Sequence, residues 1–413
     1  MKFKFYNISF TQFLKIIILC IGIIIIFINY NEKILLEVNL LILGLIWTFL
    51  ILISANSLIL LILLMEIHGI IAFTLTGIKE NSSLSKEAMI KFFILGVIAA
   101  AFMGFGISII YFILGSVNIN EISLLIHDSN FINLALYLKI LFIIGTIFFI
   151  SGFFFKLAIV PFHFWIGDIY QGAPLGIVFF FATIPVICYV YLFSKIIFLF
   201  NIHIIISILI LSICYGTYMS IYQTNLIRLI GYSAIIHISY ALLGTVEGNS
   251  LGLSSGYLYI IGYCFLNISL FIIIIILKNN KLIDQLYLIE ILDFLKILKP
   301  NLLLSCISAS IFFSMAGIPP LSGFFMKMYV YNSLGVSYNY IILIILLFVG
   351  VINAIYYIRL IRLVYFNSEL NVSVDNIKML NFIGLIILTI MFIFNVFFII
   401  IHMFFLMQIF SLI

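Results

Sequence analysis

Long apolar runs separated by short polar breaks follow one another along the whole chain. About twenty apolar residues cross the hydrocarbon core of a bilayer as a helix. By that measure twelve spans are predicted, near 12–29, 37–54, 57–78, 89–115, 132–156, 174–200, 203–221, 226–245, 252–277, 301–331, 338–365 and 380–410. The opening run, 13–28, is flanked by Lys2, Lys4 and Lys15, but no small-residue cleavage site follows it. It is expected to be a span and not a signal peptide. Residues 278–300 alternate Leu and Ile with Lys, Asp and Glu at helical spacing. That pattern fits an amphipathic helix on the membrane surface or a solvated loop. Within 153–185, Lys156 ends an apolar run, and Pro161, the cluster 162–165, Asp168, Gly172 and Pro174 precede the next one.

Composition gives the same picture. Apolar residues make up 66% of the chain and charged ones 8%, which no water-soluble domain can arrange on a core and a surface. The fold class expected is all-α, a polytopic transmembrane helix bundle forming a single membrane domain over 1–413. Lys33, Lys79, Lys86, Lys91, Arg228, Lys278, Lys281, Lys296, Lys299, Arg359, Arg362 and Lys378 fall on one side of the predicted spans. The other side holds mainly Lys2, Lys4, Lys15 and Lys195. The positive-inside rule then places both termini on the outer side. The five cysteines are isolated in apolar runs, and neither a CxxC nor a His/Cys cluster occurs, so metal, iron–sulfur and disulfide roles are not expected. The standard nucleotide-binding motifs are missing too. Abundant Ile, Phe, Asn and Lys beside three arginines fit an AT-rich genome, an organelle's or that of a low-GC bacterium.

Against this apolar background the few ionisable residues carry the chemistry. An ammonium at the centre of a membrane helix costs about 2.5–3.5 kcal/mol on insertion scales. Lys156 therefore either faces a protein or water cavity or snorkels to the headgroups. Glu66 lies in the otherwise apolar stretch 58–67. Desolvation disfavours its charged form unless a cation or water stands beside it, so it is a proton-relay candidate or half of a structural ion pair. Lys327 has apolar neighbours on both sides and follows the Pro319-Pro320 pair, which opens the helix and frees carbonyls. Arg228 and His237 lie on one predicted helix, and histidine alone titrates unperturbed near neutral pH. His237 is a relay or a packing residue. Tyr232 and Ser233 are polar neighbours on the same helix. His163 and Asp168 sit in the break after Lys156, where they shape an inlet or, for His163, bond freed backbone. Glu87 and Lys91 form an i, i+4 pair of helix-stabilising polarity.

The stretch K-x4-PFHFW-x2-D-x-Y-x-GAP, beginning at Lys156, resembles subunit 2 (the bacterial subunit N type) of proton-pumping NADH:ubiquinone oxidoreductase, complex I. Residues 54–67 resemble that family's glutamate-bearing helix, 223–244 its Q-T-N-x2-(K/R)-x3-Y-S helix and 316–329 its A-G-I-P-P segment. The resemblance implies an antiporter-like, proton-translocating subunit built from two inverted five-helix repeats, 37–200 and 201–366, between an N-terminal helix (12–36) and a C-terminal one (380–413). It implies that Glu66 pairs with Lys156, that Lys327 is the outlet lysine, and that Glu87 and Lys91 match a family motif. The implied partners are other membrane-arm subunits and membrane lipids, with no nucleic acid. NADH, flavin, iron–sulfur clusters and ubiquinone would belong to other chains. The implied location is the mitochondrial inner membrane, or the plasma membrane of a bacterium.

The family's third lysine falls here on Val186, behind Pro185. Thr183, Tyr189, Tyr232, Ser233 and His237 are the polar residues expected to bridge that gap, with His237 the relay to both lysines. Two rivals stand beside this expectation. One is a subunit of a multi-subunit cation/proton antiporter, and the other is a structural complex I subunit that does not pump.

Overall fold

The computed structural model describes residues 8–31, 36–78, 82–127, 135–279, 298, 302–336, 339–366 and 382–398. The expected surface segment 278–300 lies outside these residues except for 278, 279 and 298. Sixteen α-helices run through the described residues in two compact units. The first unit comprises 1–180 and 184–208, and the second comprises 181–183 and 209–413.

In the first unit, α1 (Ile8–Asn31), α2 (Leu36–Ser54), α3 (Leu58–Thr76) and α4 (Ser83–Leu114) follow one another in chain order. Ser57 caps α3 by accepting from the Leu60 amide, and Gly115 ends α4 in the left-handed conformation (φ 69°). The short α5 (Ile119–His127) leads to α6 (Leu136–Lys156), which packs along α4. Glycines bring these two helices together. A Cβ on Gly106 would stand 2.5 Å from the Phe149 amide nitrogen, and one on Gly152 would stand 2.3 Å from the Ala99 carbonyl oxygen. Lipid tails are as apolar as leucine, so membrane helices associate through such close packing and not by escaping water.

The segment after α6 consists of α7 (Ile166–Gly172), α8 (Leu175–Phe181) and α9 (Ile184–Ile196). The expected continuous span at 174–200 is thus broken at 182–183. Pro185 explains the break, since it has no N–H for the preceding turn and its ring crowds the carbonyl behind it. The Ala182 carbonyl accepts from Asn267 Nδ2 at 3.1 Å and the Thr183 carbonyl from Cys264 Sγ at 3.6 Å. Buried main-chain groups at membrane depth need such partners.

The second unit contains most of α10 (Ile202–Tyr222), then α11 (Leu226–Val246), α12 (Ser250–Asn279), α13 (Leu302–Ala316), α14 (Ser322–Val336), α15 (Tyr340–Phe366) and α16 (Phe382–Val396). Asn225 caps α11 by accepting from the amides of Ile227 and Arg228. The expected span 301–331 is two helices, α13 and α14, divided at 317–321 by Gly317 and the two prolines. Ten helical stretches among the described residues are long and apolar enough to cross a membrane, and Leu302–Ala316 and Ile386–Val396 are shorter apolar helices. The chain is an all-α, multi-pass membrane protein.

Candidate functional site

The first unit gathers its ionisable groups where α3 meets the end of α6. Glu66 Oε1 stands 3.6 Å from Lys156 Nζ, and the ammonium also donates to the Met65 carbonyl at 3.4 Å. The Lys156 side chain is 4% exposed and that of Glu66 is 29% exposed. The pair therefore faces protein, as the cost of leaving either charge in lipid requires. Lys156 is the last residue of its helix because the chain turns at once, with Ala158 in the left-handed region (φ 55°). The carbonyls released there are taken up locally. Phe154 accepts from the Ile159 amide, and Phe155 accepts from the Ala158 amide and from Trp165 Nε1. His163 is buried in this turn with its ring 4.7 Å from that of Phe164.

Asp168, further along, joins a cluster of three charges. Lys91 Nζ is 2.6 Å from Asp168 Oδ2 and 2.6 Å from Glu87 Oε1. The i, i+4 pair expected from the sequence is present, and the Lys91–Asp168 contact ties α7 to α4. All three side chains are at least 31% exposed, so in water the pair would contribute little, about 0–1 kcal/mol.

Two residues that received no relay role from the sequence, His68 and Lys195, belong to the same unit, together with Tyr189, one of the expected bridging residues. His68 is buried on α3, with Nδ1 3.1 Å from the Leu64 carbonyl and Nε2 2.5 Å from the Tyr189 hydroxyl. Tyr189 is one helical turn after Val186 on α9. Lys195, counted on the sequence with the outer-side charges, is instead buried. It donates to the carbonyls of Ile53 (2.8 Å) and Ala55 (3.4 Å) at the end of α2 and lies 4.8 Å over the Tyr191 ring. A cation at that point satisfies carbonyls that a helix C-terminus leaves open. The only sequence signal for His68 was a lone histidine two positions after Glu66. For Lys195 it was a lysine closing an apolar run.

The second unit repeats the theme with different parts. At the end of α13, the Gly317 amide donates to the Ser314 carbonyl and the Ile318 amide to the Phe313 carbonyl, with Gly317 left-handed (φ 87°). This is a Schellman cap, and it leaves two carbonyls of the last turn open. Lys327, buried on α14, fills them by donating to Ala316 at 2.7 Å and Met315 at 3.4 Å. Its ammonium lies 5.8 Å from the centre of the Tyr240 ring. Tyr240 stacks on Tyr259 at 5.8 Å, and the Tyr259 hydroxyl is 2.9 Å from His237 Nδ1. His237 Nε2 is 3.1 Å from the Tyr357 hydroxyl. His237 is thus neither lipid-facing nor walled in by aliphatic side chains, since each ring nitrogen meets a phenol. Ser233 is buried and donates to the Ile230 carbonyl, Tyr232 is half-buried, and Arg228 stands in the first turn of α11, far along the axis from His237. Tyr240, Tyr259 and Tyr357 were not legible as a group, because three tyrosines on three distant helices leave no spacing in the sequence.

Residues 55–353 match the family described as NADH:quinone oxidoreductase/Mrp antiporter, TM. The chain belongs to this family. NADH-quinone oxidoreductase subunit N of Pelagibacter ubique is 33% identical over 313 residues, which are 74% of this chain and 64% of that protein. Subunit N of Rickettsia conorii is 33% identical over 315 residues, 75% of this chain and 67% of that one. The chain thus matches about two-thirds of the length of these curated relatives. Among solved structures, a chain of the archaeal membrane-bound sulfane sulfur reductase superposes with a TM-score of 0.78 at 23% identity, covering 91% of this chain and 74% of its own. A chain of Thermus thermophilus respiratory complex I superposes with a TM-score of 0.67 at 21% identity, covering 87% and 82%. These likenesses establish the family's fold for this chain.

Proposed function

We propose that this chain is the subunit N (subunit 2) component of a proton-translocating NADH:quinone oxidoreductase, moving protons through buried side chains and water while other subunits carry out the redox chemistry. The observation that carries this is the pair of buried lysines at broken helices. Lys156 stands beside Glu66 at 3.6 Å, and Lys327 is held on open carbonyls 5.8 Å from an aromatic ring that leads to His237. Lys327, held only by main-chain carbonyls, can lose its proton without stranding a countercharge. That is what a relay needs and what a purely structural ion pair avoids. The two inverted repeats, the relay role of His237 between the lysines, outward-facing termini and a mitochondrial or bacterial inner membrane complete the proposal. NADH, flavin, clusters and quinone are assigned to partner chains, and the partners are the other membrane-arm subunits.

A second reading, a subunit of a multi-subunit cation/proton antiporter, is favoured by the likeness to a chain of the Mrp complex from Dietzia (TM-score 0.70, 14% identity). Isolation of the native assembly separates the two. The expected result is NADH oxidation with quinone, accompanied by proton release across the membrane. An assembly without redox subunits that exchanges cations for protons would replace the first reading with the second.

A further inference from the structure

His68 is a buried ionisable group that the lysine relay described above does not use. It is two residues after Glu66 on α3, and the Lys156 ammonium lies against that same helical turn. The ammonium donates to the Met65 carbonyl, and a side chain on Gly69 would begin 3.3 Å from Nζ. Glycine at 69 leaves room for the ammonium beside His68. The imidazole is packed against the rings of Phe49 (4.9 Å between centres) and Tyr189 (5.8 Å), and Phe153 closes the other side of Tyr189 at 6.0 Å. The ionisable groups around the His68–Tyr189 pair are Lys156 on α6, Glu66 on α3 and Cys188 on α9.

We propose that His68, together with the Tyr189 hydroxyl, is a second proton-binding site of the first unit, taking up the proton that Lys156 releases. This inference rests on the proton-translocating reading given above. Its basis is that the partners of His68 suit both protonation states. In the neutral ring, Nδ1–H donates to the Leu64 carbonyl and Nε2 accepts from the Tyr189 hydroxyl, over the 3.1 Å and 2.5 Å contacts. In the imidazolium, Nδ1–H keeps the carbonyl and Nε2–H donates to the Tyr189 oxygen, while the phenol proton turns away. A carbonyl alone would fix the tautomer, and an aliphatic wall would forbid the charge. A hydroxyl does neither, because it both donates and accepts.

In the step itself, one N–H bond of the Lys156 ammonium breaks and leaves a neutral amine, and one N–H bond forms at Nε2. The proton crosses on water or through the Tyr189 hydroxyl, which passes its own proton to Nε2 and regains one from the lysine side. The cluster keeps the same net charge throughout. Lysine and histidine do not both hold the proton, since two cations so close in a poorly solvated site repel strongly. Glu66 stabilises the charged form of Lys156. Tyr189 thereby places a proton-handling group one turn from Val186, the position at which this chain lacks a lysine.

The test uses the intact native assembly, with NADH oxidation, proton translocation and the pH dependence of both measured for wild type and for His68→Asn. Asparagine can keep the hydrogen bond that Nδ1 makes to the Leu64 carbonyl but does not titrate. Assembly is expected to survive, while coupled turnover falls roughly a hundredfold, the low end of what losing one acid–base group costs. The pH profile is expected to lose one ionisation, which a merely structural histidine would not produce. Tyr189→Phe keeps the aromatic packing and is expected to lower the rate in the same direction. It carries the test if His68→Asn does not assemble. Wild-type rates and an unchanged pH profile in an assembled His68→Asn or Tyr189→Phe complex would overturn the proposal. If the wild-type assembly exchanges cations for protons without oxidising NADH, complex I membership fails instead, and the same comparison of proton flux still decides the role of His68.

Discussion

The two lysines show how a single side chain is made tolerable inside a membrane. Among the described residues Lys327 forms no ion pair with a carboxylate, and it rests on the Ala316 and Met315 carbonyls of a capped helix end. Replacing it with alanine is expected to lower proton translocation and, through coupling, to slow NADH oxidation in the assembled complex. Lys327→Arg is expected to restore little, because a guanidinium hardly releases its proton in a protein. Wild-type turnover in the arginine variant would make Lys327 a structural charge. Gly317 supports this lysine in two ways. Its left-handed backbone disfavours any Cβ by about 1–2 kcal/mol, and that Cβ would stand 2.9 Å from Lys327 Nζ. Gly317→Ala should therefore impair pumping while adding little to Lys327→Ala in the double variant. Fully additive losses in turnover would show that the two residues act separately.

Among the helices, α4 and α6 depend most visibly on close approach. The Cβ sites of Gly106 and Gly152 fall on main-chain atoms of the partner helix, not on the ends of flexible side chains. Overpacking of this kind costs about 1–3 kcal/mol where side chains can yield, and backbone cannot. Gly152→Leu is expected to push α6 off α4, carrying Lys156 away from Glu66, and to reduce the amount of assembled complex seen on a native gel. Gly104→Leu on α4 is the control, because a Cβ there meets nothing within 4 Å. Equal assembly of the two variants would show that the contact is not needed. The break between α8 and α9 was half legible. Pro185 marks a place where a helix cannot continue, but the side chains that meet the freed carbonyls, Asn267 and Cys264, lie more than eighty positions away.

For the whole chain, the lysine and arginine distribution predicts which ends of the helices face which side. Single cysteines placed at Lys86 and at Glu121, on either side of α4, should react with a membrane-impermeant reagent from opposite faces of oriented vesicles. The Lys86 position is expected to be on the matrix or cytoplasmic face. Labelling of both from one face would mean that α4 does not span. The native cysteines need replacement first, since Cys20 and Cys306 are exposed in the chain alone.

Helix positions, membrane class and the isolated charges of Glu66 and Lys156 were open to inspection in the sequence, because a bilayer imposes a fixed run length and makes every buried charge conspicuous, whereas their pairing was implied by the family resemblance. The helix breaks at Pro161 and Pro319-Pro320 were visible for a similar local reason, since proline acts on its own turn. The partners of those charges were not. Lys195 on the carbonyls of α2, Lys327 on the end of α13, His68 against Tyr189, and His237 between Tyr259 and Tyr357 each join residues from different helices. Main-chain carbonyls have no letter in a sequence, and tyrosine reads there as one more aromatic residue. Which phenol faces an imidazole depends on how helices rotate and pack against one another, and in a membrane small residues and close contacts set that rotation more than any polar–apolar pattern does.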